Sequence, residues 1–176
     1  MEHEEHLKLL RATAAGQQQA FKQLYEATSS QLYAVSFKML KHKELAEEAV
    51  QEAYVRIWHN ASEYQLGKGT VLTWMISIVR YRVIDLIRYH KVRHELGLQE
   101  QDTEIEHLAI DSNDAVPKKL DECIDELDSE QKQALHFAYF NGLSHQEVSA
   151  SMNSPLGSVK SWIRRGLQSL QRCLAI

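Results

Sequence analysis

The sequence predicts an all-α protein made of two small helical domains joined by an acidic, flexible linker. Apolar residues recur at helical spacing through most of the chain, and the alternation typical of strands is scarce. Only two prolines and seven glycines interrupt the 176 residues. A chain of this length is enough for one ordinary domain or two small ones.

Charge divides the chain into three parts. Residues 1–93 hold 13 Lys and Arg against 10 Asp and Glu, residues 94–130 hold 2 against 13, and residues 131–176 hold 5 against 1. Within the acidic part, residues 94–116 lack periodicity and end at Pro117. We therefore expect a first domain over 1–93, a linker over 94–116 that is largely disordered alone, and a second domain over 117–176.

Four helices are predicted in the first domain, over about 4–15, 17–42, 43–60 and 70–93. The second has a weak point at Thr28-Ser29-Ser30, where poor helix formers cluster. The third repeats an apolar residue every four positions and leaves an acidic face exposed. By itself, an acidic helix face usually has no role beyond contact with solvent. This face comprises Glu44, Glu48, Gln51, Glu52 and Val55.

The fourth helix and the loop before it form a candidate surface for single-stranded DNA. Two glycines predict the loop over 63–69. From Lys68 to Arg93 there are six basic residues and one acid, with Trp, Tyr and Tyr interleaved. Cations that follow a backbone and aromatics that stack on bases suit a single strand, although Trp74 and Tyr81 are equally explained as core residues. The candidate contacts are Lys68, Trp74, Ser77, Arg80, Tyr81 and Arg88.

The second domain ends in a predicted helix-turn-helix. Helices are expected over 118–127 and 129–141, and Ser144-x-x-Glu147 is a capping box that begins the next one. The last helix is expected to be capped by Ser154, with Pro155 in its first turn. Its predicted buried stripe is Val159, Ile163, Leu167, Leu170 and Leu174.

The other face of this last helix is polar and cationic, as expected of a helix that enters a major groove. The alternative is an ordinary amphipathic helix with a solvated basic face. Trp162 borders the apolar stripe, and we expect it to pack rather than to contact bases. The candidate contacts are Ser158, Lys160, Ser161, Arg164 and Arg165.

The cysteines, histidines and apolar runs argue against a disulfide framework, a metal site and a membrane span. Cys123 and Cys173 are isolated in a chain without a signal peptide, so we expect two reduced, mostly buried thiols in a cytoplasmic protein. No apolar run approaches 18 residues, which argues against a membrane span. His3 with His6 and His90 with His94 lack the further ligands of a metal site, and no nucleophile–base pair or cofactor motif is present. We expect neither metal, cofactor nor enzymatic activity.

Taken together, these segments resemble a bacterial extracytoplasmic-function (ECF) sigma factor, the minimal group 4 branch of the sigma superfamily. Ala46-Glu-Glu-Ala-Val-Gln-Glu-Ala-Tyr-Val-Arg-Ile-Trp58 is similar to the family's segment of the pattern acidic-x-x-Gln-Glu-x-aromatic-x-x-apolar-Trp. Thr73-Trp74 followed by Ile78-Val-Arg-Tyr-Arg-Val-Ile-Asp85 resembles the helix that melts the minus-10 element. Leu127-Asp-Ser-Glu-Gln and Gly157-Ser-Val-Lys-Ser resemble the minus-35-reading region 4 domain.

The resemblance implies particular partners. Glu48, Gln51 and Glu52 would dock on the clamp coiled coil of core RNA polymerase, whose flap is a further contact. The fourth helix would hold the melted non-template strand, and the last helix would bind duplex promoter DNA. The acidic linker would follow the polymerase's RNA path. An anti-sigma factor, membrane-associated or signal-sensing, would hold the protein silent.

Some positions depart from the family pattern. Tyr81 stands where the family usually has Asn, and Val71 where an aromatic is more usual. Trp162 and Leu167 replace common arginines, and Ser149 and Asn153 replace the Ala and Gly of the turn. The alternative function is a conventional helix-turn-helix repressor or activator, which would bind a duplex palindrome alone as a dimer.

Overall fold

The computed structural model describes residues 2–95, 97 and 118–174. Apart from its first residues, the predicted linker over 94–116 lies outside the described residues. The chain divides into two compact units between residues 106 and 107, and each is described by itself.

All regular structure in the described residues is helical, which confirms the predicted class. The first unit contains α1 (Glu2–Ala14), α2 (Gln18–Leu40), α3 (Lys43–Asn60), a 3-10 turn (Ala61–Glu63) and α4 (Val71–Glu95). The second contains α5 (Lys118–Asp125), α6 (Ser129–Tyr139), α7 (His145–Met152) and α8 (Leu156–Leu174). The predicted helices differ from these mainly at their ends, where local signals are weakest.

Helix α2 runs unbroken through its predicted weak point. Thr28 is fully buried, its Oγ1 donates to the carbonyl oxygen of Leu24 at 2.7 Å, and it lies 2.6 Å from the hydroxyl of Tyr54 on α3. Tertiary packing and these bonds therefore outweigh the low helix propensity of the segment. The helix ends where Lys41 adopts a left-handed conformation, with φ 53°.

The core of the first unit lies among α2, α3 and α4. Its fully buried side chains include Leu24 and Leu32 from α2, Ile57 from α3, and Met75 and Val79 from α4. The predicted stripe of α3 is buried at Ala49, Ala53 and Ile57. These contacts hold the opposite faces of α3 and α4 in fixed positions.

The core of the second unit holds α8 in place, but only part of the predicted apolar stripe of this helix is buried. Val159, Ile163 and Gly166 are the buried residues of α8. The prediction was wrong for Leu167, which is 38% exposed. Gly166 takes the inner position because α6 passes closely there: a Cβ on Gly166 would lie 2.7 Å from Leu135 Cδ1.

The two cysteines are bonded to each other, which overturns the expectation of two reduced thiols. Cys123 on α5 and Cys173 near the end of α8 form a disulfide with a Cα–Cα distance of 5.8 Å. The expectation that they are mostly buried holds for Cys123, which is 1% exposed. The two cysteines are 50 residues apart, and nothing in their spacing predicts that α5 packs against α8.

The turn between α7 and α8 is of the expected kind. The capping box of Ser144 and Glu147 is present at the start of α7, and Asn153 takes the left-handed conformation with φ 49°. The predicted cap at Ser154 was not found: its Oγ donates to the carbonyl oxygen of Met152 at 3.0 Å. Pro155 lies just before α8, and its carbonyl oxygen accepts from the N–H of Val159.

Candidate nucleic-acid and protein interfaces

The solvated face of α8 carries three long cations in the first ten residues of the helix. Lys160, Arg164 and Arg165 are exposed, whereas Ser158 and Ser161 are partly buried near the start of the helix. Trp162 is also partly buried and packs against the core cluster, as expected. The helix thus presents positive charge on one side while its other side is fixed to α6 and α7, which is the arrangement that a groove-binding helix requires.

The loop before α4 is short and closed by polar contacts. Gly67 and Gly69 adopt φ values of 90° and 97°, which glycine tolerates without strain. The hydroxyl of Tyr64 donates to the carbonyl oxygen of Gly69 at 2.7 Å. Lys68 is exposed and lies between the two glycines. A cation is therefore presented on a turn of defined shape.

Helix α4 begins with a cap of its own and a second one from α1. Thr70 Oγ1 accepts from the N–H of Thr73 at 3.2 Å. The Nδ1 atom of His3 accepts from the N–H of Val71 at 3.4 Å, so the imidazole approaches the helix start. Val71, where an aromatic is more usual in the family, is fully buried. Both caps fix the point at which the loop joins α4.

The predicted contacts on α4 fall into two groups. Tyr81 is 68% exposed and Arg88 is exposed, while Trp74, Ser77 and Arg80 are partly buried. Trp74 packs against the first core, with its ring edge-on to Tyr64 at 5.9 Å between centroids. The core explanation therefore holds in part for Trp74, whereas Tyr81 belongs to the surface.

On the acidic face of α3, one of the three predicted docking residues is bound within the unit. Glu48 and Gln51 are exposed. Glu52 forms an ion pair with Arg82 of α4: Nη2 of Arg82 donates to Oε1 of Glu52 at 3.2 Å, and Nε donates to Oε2. The guanidinium thus holds the carboxylate through both oxygens.

Three further residues bear on these surfaces and were missed in the sequence. They are His3, Tyr64 and Arg82, whose partners lie 68, 5 and 30 residues away. Only the contact of Tyr64 is local, since its partner Gly69 lies five residues away. The other two contacts depend on how helices pack, which no spacing rule reveals.

The described residues show neither a metal site nor a membrane-spanning helix. None of their histidines, cysteines and acids gather into a group of three or more that fits a metal ion. No helix in the described part of the chain is both long and apolar enough to cross a membrane.

Comparison with known proteins identifies the two units. Residues 24–93 match the Sigma-70 region 2 family, and residues 118–170 match the Sigma-70 region 4 family. A region 2 domain followed by a region 4 domain defines a sigma factor.

Among curated relatives, the chain is 30% identical to the ECF RNA polymerase sigma factor SigK of Mycobacterium bovis (strain BCG / Pasteur 1173P2), over 96% of this chain and 92% of that protein. It is also 30% identical to SigK of Mycobacterium ulcerans (strain Agy99), over 94% and 91%. The sigma factor RpoE of Bartonella quintana, solved with the anti-sigma factor NepR, is 21% identical over 89% of this chain and 97% of that chain, with a TM-score of 0.44.

The chain belongs to the ECF RNA polymerase sigma factors. It is a transcription initiation factor that directs RNA polymerase to promoters. The alternative of a stand-alone repressor or activator is excluded by this membership.

Proposed function

We propose that the two units divide promoter recognition between them, without covalent chemistry. The first unit, over 1–93, binds core polymerase through α3 and opens the minus-10 element through α4 and its preceding loop. The second, over 117–176, reads the minus-35 element with α8. The observation that carries this proposal is that cations on α8 and an aromatic on α4 lie on solvated faces of helices whose other faces are buried.

For the minus-35 element, the proposed contacts are Lys160, Arg164 and Arg165 with the serines of the first turns, Ser158 and Ser161. Long cations bind phosphates and guanine edges in a major groove. Because Trp162 packs and Leu167 is not cationic, the helix has few charges for phosphate contact. We therefore expect weak duplex binding by the free protein and strong binding only within the holoenzyme.

For the minus-10 element, Lys68 and the α4 residues supply the proposed surface. Tyr81, with Arg88 seven residues further along the helix, offers a ring for stacking and a cation for the backbone. Trp74, Ser77 and Arg80 line the partly buried side of the same surface. Unstacking costs a few kcal/mol per base and is offset by stacking and phosphate contacts.

For polymerase, Glu48 and Gln51 offer exposed polar groups beside the fixed carboxylate of Glu52. We propose that this face docks on the clamp coiled coil, that the second unit contacts the flap, and that the acidic linker follows the RNA path. Because its proposed partner is RNA polymerase, we propose that the protein is cytoplasmic. We further propose that an anti-sigma factor, which senses a signal or lies at the membrane, covers the polymerase-binding and DNA-binding faces. Family membership supports these partners.

Reconstituted transcription tests the polymerase face. Core polymerase with the wild-type chain is expected to initiate at promoters selected from a fragment library, and a Glu48→Ala/Gln51→Ala variant is expected to lose core affinity and initiation. Glu26→Ala is the matched control. Among the described residues, this exposed carboxylate on α2 pairs only with Lys22, with 3.8 Å between Nζ and Oε1. Normal core binding by the double variant would remove α3 from the docking face.

The minus-35 proposal is tested separately with the same holoenzyme. Arg164→Ala and Arg165→Ala are expected to weaken binding to the selected promoters and to lower the salt dependence of that binding. Arg172→Ala, an exposed arginine in the last turn of α8, is the control. Unchanged promoter affinity in both variants would take these arginines off the contact surface.

A further inference from the structure

The segment Gln65–Gly69, here called the closing loop, joins the 3-10 turn to the residue that caps α4. The N–H of Lys68 donates to the carbonyl oxygen of Gln65 at 3.3 Å, so the backbone turns back on itself. Gly67 and Gly69 supply the positive φ values that the turn needs. Its one cationic side chain, Lys68, lies where the proposed function needs a contact with single-stranded DNA.

Packing does not hold the closing loop in place. A cavity of about 230 Å³ lies between α1 and the segment that follows α3, and Leu66 is the one residue of the closing loop among its lining residues. Leu66 is 65% exposed, so the loop buries little apolar surface of its own. A segment with few buried contacts is expected to open easily unless polar contacts restrain it.

The restraint that spans the closing loop is Tyr64. Its hydroxyl donates to the carbonyl oxygen of Gly69 at 2.7 Å, which joins the residue before the loop to the last residue in it. Its ring lies edge-on to Trp74, which itself packs on the first core. The tyrosine is thus anchored by its ring and fixes the loop by its hydroxyl.

We propose that Tyr64 is a positioning residue that keeps the closing loop in the shape that receives an unstacked DNA base. This inference rests on the proposed minus-10 role of Lys68 and α4. Preorganisation lowers the cost of ordering the loop at the moment of binding, so a base that fits the fixed shape is favoured over one that does not. Tyr64 therefore contributes to base preference without itself contacting the base.

The test uses holoenzyme and a pool of single-stranded oligodeoxynucleotides randomised at six positions, with bound molecules sequenced. Tyr64→Phe removes only the hydroxyl and keeps the ring against Trp74. The loss of one hydrogen bond corresponds to a change of about fivefold, so enrichment at the position read by the loop is expected to fall by about that factor. Enrichment at the other positions and core affinity are expected to stay as in the wild type, and the melting temperature is expected to fall only slightly, since one exposed hydrogen bond is lost.

The matched control is Tyr25→Phe, a tyrosine on α2 that is 44% exposed and remote from the closing loop in sequence. Lys68→Ala and Tyr81→Ala are run alongside. If they flatten the profile and Tyr64→Phe does not, the positioning role is wrong and the minus-10 proposal stands. If Lys68→Ala, Tyr81→Ala and Tyr64→Phe all leave the profile unchanged, the minus-10 proposal fails.

An equal loss at every position, or a loss of core binding, would mark Tyr64 as merely structural and overturn the inference. Gly69→Ala gives an independent check, because φ is +97° there and a side chain strains the same carbonyl that Tyr64 holds. It is expected to flatten the same position of the profile as Tyr64→Phe. If Gly69→Ala flattens a different position of the profile, or no position, the proposal is contradicted.

Discussion

Arg82 of α4 holds the carboxylate of Glu52 on α3 through both of its oxygens, with 3.2 Å between Nη2 and Oε1. The side chains are 23% and 41% exposed, so the pair lies at the edge of the unit rather than in its core. It ties the proposed polymerase-docking face directly to the proposed minus-10 helix. A substitution at Glu52 therefore changes two surfaces at once.

We expect Arg82→Met to weaken core binding although Arg82 is not among the proposed docking residues, because the Glu52 carboxylate loses its orientation. The loss of stability is expected to be at most about 1 kcal/mol, since partly exposed ion pairs contribute little. Arg82→Lys is expected to recover only part of the affinity, because an ammonium cannot hold both oxygens. Titration of core polymerase and urea denaturation measure the two effects, and equal core affinity in all three proteins would contradict the prediction.

The buried hydroxyls of Thr28 and Tyr54 are expected to respond asymmetrically to substitution. Because Thr28 donates to the carbonyl oxygen of Leu24, Tyr54 must donate to Thr28. Tyr54→Phe removes that bond at a cost of about 1 kcal/mol, whereas Thr28→Val leaves a buried phenol without an acceptor and costs about 2 kcal/mol. Urea denaturation compares the two variants, and a smaller loss in Thr28→Val would show that the donor order is the reverse.

The stability of the first unit is expected to fall at alkaline pH in part through Tyr54. Burial raises the pKa of Tyr54 from its ordinary value of 10.0 to about 12. Its contribution is complete below pH 10, where the unfolded phenol is also protonated, and is lost as the pH rises from about 10 to about 12. The unfolding free energy of the wild type is therefore expected to fall more steeply in this interval than that of Tyr54→Phe, and parallel curves would contradict the assignment.

Gly166 is expected to tolerate a methyl group less well than Gly157. A Cβ on Gly157 meets nothing within 4 Å, whereas a Cβ on Gly166 meets Leu135 Cδ1 at 2.7 Å and Gln131 Cβ at 3.5 Å. Alanine gains up to about 1 kcal/mol of helix propensity at either site, and overpacking costs about 1–3 kcal/mol. We expect Gly166→Ala to unfold at a lower urea concentration than Gly157→Ala, and the reverse order would mean that Leu135 moves aside freely.

Reduction of the Cys123–Cys173 disulfide is expected to destabilise the second unit selectively. Loop-closure entropy for a separation of 50 residues corresponds to about 4 kcal/mol, a large fraction of a small domain's stability. Hydrogen exchange before and after dithiothreitol is expected to accelerate in 118–174 and to stay unchanged in 2–95. A Cys123→Ser/Cys173→Ser variant provides the control and is expected to exchange like the reduced protein.

The sequence predicted the helices well because their signals are local. The capping box at Ser144, the left-handed Asn153 and the periodicity of α3 each depend on residues within one or two turns. Leu167 was misplaced because a strict count of apolar positions does not allow for the close approach of α6, which needs a glycine at 166.

Solvent exposure of the candidate site residues could be predicted only where it depends on a single helix. Exposed cations on α8 and Tyr81 on α4 follow from helical geometry and the absence of apolar neighbours. The Glu52–Arg82 pair, the contact of His3 with Val71 and the disulfide join elements that are distant in sequence. Such contacts are set by tertiary packing, which composition and periodicity do not encode.

The two core clusters of the described residues have no member in common: one is built from α1 to α4, the other from the helices after residue 118. Each half can therefore accumulate substitutions without a compensating change in the other half's core. In a lineage of duplicated genes, such halves can diverge at different speeds. Under the proposed division of promoter recognition, recombination of existing halves would change one promoter element at a time, since an exchanged unit brings its own core cluster with it.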